Sequence, residues 1–444
     1  MRTGFADKSF WLTTRSYEPG PPLAGGLDVD VAIVGGGFTG LTTAWFLACD
    51  DPSLRIALLE AEVVGYGASG RNAGFSMTKI GMMHSLTRRR FGGARTVEAH
   101  EYADRAVTLV RDLVTGLGFD CDYEHPGFLW VATSERLARR LHAELDLVER
   151  LGIRGIERLD EPALAQRVRS PLYVGGAWWE PNCGLLNPAK LAWCWRDAVA
   201  DAGVVIHERT PVAAVRRVGD RSLLQTPGGW VRADKVVFAT NAWSHQFAPL
   251  ATKQVPVWTY VVLTEPLTDA QFAAIGWSGR EGIEDFRDLV HYTRLTADNR
   301  ILFGGRDVGL GDGATMGFDR DETVFAKLRD DLVATFPPLR GIRFTSAWGG
   351  PVSATLDLFP AIGHAGGRDW LYSLGCVGHG VSTTHLHGRT LADLVLERDT
   401  DLTRTFFVDR RVPPMPPEPL RRPLIRAITG FMRWEDRRND VLPG

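Results

Sequence analysis

An α/β fold (α+β overall) is predicted for this 444-residue chain, with a helix-covered parallel sheet unit interleaved with a mostly antiparallel β unit. Three observations predict it. Val29, Val31, Ile33 and Val34 form a buried-type β-run that passes through a glycine-rich turn into Leu41, Ala44, Trp45, Leu47 and Ala48 at helical spacing. From Gln254 to about Thr345 the pattern changes to strand alternation, with Val255, Val257, Thr259, Val261 and Leu263, then 291–294 and 300–303 around the turn residues Ala297, Asp298 and Asn299. Glycine is in excess, 48 of 444 residues or roughly 11% against a usual ~7%. Such a length predicts two or three domains of roughly 100 to 200 residues.

Composition excludes several classes. With 44% hydrophobic and 23% charged residues the chain can bury a large core. Lys and Arg number 51 against 53 Asp and Glu, so no nucleic-acid surface is expected. Cys49, Cys121, Cys183, Cys194 and Cys376 include no CxxC pair, and no disulfide framework, metal site or dithiol centre is expected. Residues 1–11 lack an apolar leader core, and no run approaches the ~18 apolar residues of a membrane span, so the expected location is cytoplasmic.

The turn after the first strand reads Gly35-Gly36-Gly37-Phe38-Thr39-Gly40. Gly35 permits the tight turn, Gly37 lets a pyrophosphate approach the backbone, and Gly40 lets the helix pack close to the strand. A diphosphate then sits at the positive end of the helix. The second strand, 55–59, leads to Glu60 and Ala61; Glu60 lies 20 residues beyond Gly40, where a carboxylate binds ribose hydroxyls and repels a 2′-phosphate. The unit is therefore Rossmann-like and its nucleotide is FAD or NAD. Residues 65–75 follow as a flexible loop or as backbone laid along an extended ligand, with Gly67, Ala68, Ser69, Ala73, Gly74 and Phe75 against it and Arg71 and Asn72 supplying polar contacts.

These stretches, with Trp348-Gly349-Gly350 and Gly375-Cys376-Val377-Gly378-His379-Gly380-Val381, resemble the D-amino-acid oxidase (DAO) family of FAD-dependent amine oxidoreductases. Within it the chain is most similar to the γ-glutamylputrescine oxidoreductase-like branch, over almost its whole length. The resemblance implies a Rossmann-like FAD-binding domain interleaved with a substrate domain, of the DAO and glutathione-reductase type. It also implies that backbone near Val212 touches adenine, that Ala239 and Thr240 face the cofactor, and that Gly350, Gly375, Gly378, His379, Gly380 and Val381 surround the flavin ring. Relatives with covalent flavin carry His in the loop aligned with 71–74 or Cys near Trp348 or Gly349. Both are missing, so non-covalent FAD is expected.

The remaining elements follow in order. Residues 96–117 and 134–151 read as helices flanking a strand at 128–132. Pro188 opens a helix that Gly203 ends, 204–206 and 231–239 return as strands, 371–374 is the last strand, and 378–395 the last helix of the sheet unit. The expected segmentation is FAD-binding domain 1–95, 156–248 and 348–405, substrate domain 96–155 and 249–347, and a Pro-rich linker with an amphipathic tail helix at 406–444.

A single fingerprint and no redox cysteines leave an organic substrate as the electron source. The resemblance implies oxidation of a primary or secondary amine, with hydride passing from the carbon next to nitrogen to flavin N5. The imine then hydrolyses to aldehyde or ketone, and oxygen (giving hydrogen peroxide) or another acceptor reoxidises the flavin. Tyr260, His291, Tyr292 and Trp348 read as cavity aromatics or as sheet core. Arg294 reads as a holder of a substrate carboxylate or an exposed strand arginine, and His379 as a hydrogen-bond donor to flavin, a proton carrier or a helix cap. Gly74 and Met77 stand where sarcosine-type relatives have carboxylate-binding arginines, and Phe303 where some oxidases have an oxygen-activating lysine. D-amino-acid or N-methyl-amino-acid (sarcosine/glycine-type) oxidation is the alternative. A reading of another class is a flavin-binding, membrane-associated partner, because Leu420, Leu424, Ile428 and Phe431 alternate with Arg421, Arg422, Arg426 and Arg433 in a helix that docks on its own body or on a membrane. The partners expected are a small-molecule amine and an electron acceptor, with no integral membrane span, and no signal for an oligomeric state.

Overall fold

The run at 29–34 is the inner part of the strand Gly25–Val34, which pairs in parallel with Gly229–Phe238 on one side and Ile56–Leu59 on the other. Val31 through Val34 are all buried, as both faces of a parallel sheet are covered by helices. A computed structural model describes residues 4–310 and 316–439; positions 1–3, 311–315 and 440–444 of the expected segments lie outside the described residues. The first sheet runs Ala361–His364, Trp370–Leu374, Gly229–Phe238, Gly25–Val34, Ile56–Leu59, Val205–His207, with the hairpin Ala214–Val218 and Arg221–Thr226 built onto it.

The fingerprint helix Phe38–Asp50 packs against Pro188–Asp201 and Gly380–Val395. Its approach to the sheet needs glycine: a Cβ on Gly40 would stand 2.0 Å from the carbonyl oxygen of Gly35.

A second sheet runs Phe344–Ala354, Val255–Pro266, Arg300–Leu310, His291–Leu295, Gly282–Asp285, Phe128–Ala132, Val174–Glu180, Glu157–Leu159. It is antiparallel except where Gly282–Asp285 meets Phe128–Ala132. Its pleat separates two faces. Trp258, Tyr260, Val262 and Phe303 pack with Phe325, Leu328 and Leu332 of a cover helix, Glu322–Thr335, which the sequence pattern left unassigned. Val261, Leu263, Leu302, Tyr292 and Trp348 turn the other way, into the core shared with the first sheet.

Three boundaries differ from the expected segmentation. The helix Gly93–Gly116 packs on Gly380–Val395 and buries Tyr102, Ala103, Ala106 and Val110 in the core of the first sheet, so it belongs there and not to the substrate unit. Glu157–Leu159 and Val174–Glu180 pair into the second sheet, which carries the first substrate segment through Glu180. Phe344–Ala354 pairs with Val255–Pro266, so Trp348 and Gly350 lie in the second sheet and the chain returns to the first only after Ala354. The tail helix spans Glu418–Asn439. No helix among the described residues is long and apolar enough to cross a membrane.

Candidate functional site

The crevice opens at the carboxyl ends of the first sheet's parallel strands, where open α/β sheets bind their ligands. Gly35 turns the chain at φ +111°. Beyond it the Gly36 N–H donates to Glu60 Oε2 (2.6 Å), the Glu62 N–H to Glu60 Oε1 (3.0 Å), and the Phe38 N–H to Ser69 Oγ (3.0 Å). Burial pushes the Glu60 carboxyl up to about 7 against the pull of these donors. The Arg209 N–H donates to Glu62 O and the Thr210 N–H to Glu60 O (both 2.8 Å), which brings the half-buried Val212 beside Glu60 and the exposed Ala61. The Ala239 N–H donates to Val34 O (2.9 Å), and Thr240 follows half-buried at the strand end. Gly35, Gly37, Gly67, Ala68, Ser69 and Phe75 are likewise half-buried, whereas Phe38, Thr39, Gly40, Ala73 and Gly74 are covered.

Two side chains expected to touch the ligand are engaged elsewhere. Arg71 is buried; its Nη1 donates to Asp319 (2.7 Å) and its Nε to Tyr66 O (2.7 Å). Asn72 donates to Ala68 O (3.0 Å) and Ser69 O (3.2 Å) and accepts from the Gly74 N–H (2.7 Å), shaping the loop instead. Gly74 sits at φ +77° with Leu186 O 2.1 Å from where its Cβ would be.

Arg294 is neither exposed nor free for a carboxylate. It is 1% exposed, and its Nη1 donates to the carbonyls of Leu186 (2.7 Å), Gly74 (3.2 Å) and Ala73 (3.3 Å), while burial lowers its pKa to about 10. Trp348 is also buried, its Nε1 donating to Arg71 O (2.8 Å) and its ring edge-on to Trp11, so it is a core residue of the joint. Gly350 packs beside Arg71.

Pleat parity removes two cavity candidates. Tyr260 lies edge-on to Phe325 of the cover helix, on the face away from the crevice. His291 is held there between Asp285 (Nδ1, 3.1 Å) and Asp331 (Nε2, 2.9 Å), whose charges outweigh burial and raise its pKa. Phe303 packs against that imidazole, so it too faces away.

Tyr292 does face the crevice. It is half-buried, edge-on to Phe75, and opposite Glu284 across the strand pair. Sequence reasoning missed its neighbours. Lys79 Nζ lies 3.2 Å from Glu284 Oε1 and 4.1 Å from the centre of the Trp130 ring, and Trp130 Nε1 donates to Glu180 Oε1 (3.2 Å). Burial pushes the carboxyls of Glu284 and Glu180 up, the latter to about 7. The available signal was Lys79 itself, the only Lys, Arg, Asp or Glu between Arg71 and Arg88.

At the other wall, Gly375 (φ +79°) and Gly378 (φ +89°) lead into Gly380–Val395, whose Ser382 Oγ donates to Met77 O (2.8 Å). Gly380 and Val381 form the first turn. His379 occupies the N-cap position without a side-chain capping bond. Its Nδ1 is buried without a partner, and burial, then Lys79, drives its pKa far below the usual imidazole value, so the ring is neutral. Cys376 packs against Gly380 and Asn241.

Such a crevice, a glycine turn and acid over a parallel sheet with a second sheet closing it, defines a dinucleotide-dependent redox fold. Residues 30–394 match the family described as FAD dependent oxidoreductase (DAO), and the chain belongs to it. It is 32% identical over 385 residues to gamma-glutamylputrescine oxidoreductase of Escherichia coli K12, covering 86% of this chain and 87% of that one. It is 25% identical over 387 residues to glycine oxidase of Geobacillus kaustophilus (84% and 94%). The crystal structure of glycine oxidase from G. kaustophilus matches with a TM-score of 0.73 at 22% identity, over 87% of this chain and all of that one. The protein is an FAD-dependent oxidoreductase. The residues present fit the group: the Glu60 carboxylate at the end of the second strand, a glycine turn, and the unpartnered His379 Nδ1 at the start of the last helix.

Two expectations follow. Arg294→Met leaves backbone carbonyls without their donor, at about 1–3 kcal/mol for each one orphaned, and lowers the melting temperature even of ligand-free protein by roughly 5 °C or more; a variant altered only in substrate KM would instead mark a carboxylate holder. For Glu60 the folded carboxyl is raised, so its neutral form is favoured in ligand-free protein, and stability falls as pH rises from 4.5 through about 7. Ribose hydroxyls donate to the ionised form, so FAD affinity weakens by up to about tenfold per pH unit below 7. Fluorescence titration of apoprotein reads this, and Glu60→Gln flattens the profile.

Proposed function

We propose that this chain oxidises a primary or secondary amine at the carbon next to nitrogen, the imine product hydrolysing to an aldehyde or ketone. The observation that carries the reading is the group on the near face of the second sheet: Tyr292, Glu284, Trp130 and Lys79, with neutral His379 on the opposite wall. When bound, FAD supplies the hydride acceptor at its ring. Tyr292 offers a π-face that attracts an ammonium, while the Trp130 ring holds Lys79. Glu284, raised by burial, accepts a proton at its carboxylate and leaves the amine its lone pair. Lys79 holds Glu284 in place and shares its charge. His379, kept neutral, presents its free Nδ1 toward the ring site without adding positive charge beside the amine.

The commitment of Arg294 to backbone carbonyls, and Gly74 and Met77 in place of arginines, favour an amine over an α-amino acid. The gamma-glutamylputrescine oxidoreductase relative supports a substrate whose reactive amine is remote from any α-carboxylate. Oxidation of a D-amino acid or an N-methyl amino acid is the second reading, favoured by the likeness to glycine oxidase and by Lys79 as a cation on the near face. The flavin is held non-covalently, and oxygen or another acceptor takes its electrons.

Anaerobic bleaching of the flavin's visible absorbance tests the reading. Polyamines and γ-glutamyl amines are expected to bleach it, while sarcosine and D-amino acids leave it yellow; bleaching by NADH alone overturns the scheme. Glu284→Gln slows the bleaching by about 10²-fold or more at neutral pH while leaving FAD bound. Acid precipitation is expected to leave the yellow colour in the supernatant, and a coloured pellet contradicts non-covalent attachment.

A further inference from the structure

The tail helix Glu418–Asn439 docks on the body with its polar side. Asp436 accepts the backbone N–H groups of Asp288 (2.8 Å) and Leu289 (2.9 Å). Arg433 donates to Asp307 (2.8 and 2.5 Å), Ile425 packs beside Val255, Ala354 and Met415, and Thr429 is buried. The apolar side, expected to dock or to meet a membrane, is turned outward. At about 100° per residue, Leu420, Leu424, Ile428, Phe431 and Trp434 fall on one stripe opposite the docked face. They are 62%, 38%, 44%, 59% and 47% exposed, five of the eleven exposed large hydrophobic residues among the described residues. Concentration of that kind on one short element marks an interaction surface, since scattered exposed apolar residues are ordinary but a contiguous stripe is not.

Charge identifies the partner. The helix carries six arginines against three carboxylates. Asp436 is occupied by the body, and Glu418 pairs with Arg421 (2.8 Å). Arg438 is exposed on the stripe, over the Trp434 ring (4.6 Å), itself 5.8 Å from Phe431, and Arg426 and Arg437 are exposed on the flank between the stripe and the docked side. Leucines and aromatics between arginines match a helix lying in a headgroup layer. The third carboxylate, Glu435, accepts from Asn439 (3.3 Å), and a second copy would bring the same excess of arginine rather than a complementary charge. We propose that the tail helix is a peripheral anchor that lies in the surface of an anionic phospholipid membrane, with the Leu420–Trp434 stripe in the headgroup boundary and Arg426, Arg437 and Arg438 on lipid phosphates. Docking of its other side means that the helix is already formed and pays little ordering entropy on binding.

The test uses FAD-loaded full-length protein and sedimentation with vesicles of phosphatidylcholine alone or with phosphatidylglycerol. Binding is expected only to the anionic vesicles and to weaken with salt, because headgroup attraction is screened over about 10 Å at 0.1 M. Each of Arg426→Glu, Arg437→Glu and Arg438→Glu weakens it about fivefold or more. The pair Phe431→Ser and Trp434→Ser weakens it at least tenfold, with amine-dependent flavin bleaching and melting temperature unchanged. No sedimentation with anionic vesicles, equal binding to neutral ones, indifference to these substitutions, or a stripe-dependent dimer in their place overturns the proposal. Since binding and bleaching are read separately, a failure here leaves the proposed reaction standing.

Discussion

Arg294 Nη1 lies within 3.3 Å of three backbone carbonyl oxygens, and the geometry of the crevice depends on that contact. Two of the carbonyls, Ala73 and Gly74, belong to the loop that follows Glu60, the third to Leu186 just before the helix Pro188–Asp201. The guanidinium comes from the second sheet, so one buried group joins the substrate sheet to two pieces of the nucleotide unit. A cation is placed in an apolar joint only if its donors are satisfied, and carbonyls do this without a counter-charge. The same joint is closed by Trp348 donating to Arg71 O and by Asp319 receiving both Arg71 and Lys8. The loop that would lie along a flavin is thus positioned by protein contacts before any ligand arrives.

How much of this was legible in the sequence follows from the range of each signal. The fingerprint turn was legible because its constraint is local: the carbonyl that a side chain at residue 40 would strike belongs to Gly35, five residues back. Glu60 comes to the turn within the same strand, helix and strand, where its carboxylate accepts from the Gly36 N–H. Segment ownership was not legible, because a strand's sheet is set by partners far along the chain. Nothing local in Val174–Glu180 says that it pairs with Phe128–Ala132, and nothing in the apolar stripe of Gly93–Gly116 says that Gly380–Val395 is waiting for it. Among the candidate aromatics, alternation revealed a strand but not which parity faces inward, and a shift of one residue exchanges the faces. Tyr292 and His291 are adjacent in sequence, yet only one meets the crevice.

The titratable groups around the crevice share a direction. Glu60, Glu180 and Glu284 are pushed up and His379 pushed down, and in each burial is the first cause. All four are driven toward neutrality, so in the ligand-free protein this is a desolvated space poor in net charge, in which any introduced charge is felt strongly. A substrate arriving as an ammonium meets carboxyls that burial makes readier to take its proton, Glu284 beside Lys79 among them. A substrate arriving as a carboxylate meets only Lys79, already paired. The electrostatics therefore favour the amine for a reason separate from the commitment of Arg294.

Glu284 and Asp285 show how one pair of adjacent acids serves two ends. In the sequence they read as a single acidic step in a strand. The pleat sends Glu284 to the near face, beside Lys79 and opposite Tyr292, and Asp285 to the far face, against Arg287 and His291. On that far side His291 bridges to Asp331 of the cover helix, and Arg306 adds a second link to the same carboxylate. The far network joins three strands and a helix through charge-assisted bonds, which are stronger and more directional than apolar contact. Rigidity behind the strand limits how far Glu284 and Tyr292 can shift in front of it. A residue dismissed from the site by parity, His291, thereby acts on the site by positioning the strand that carries Tyr292.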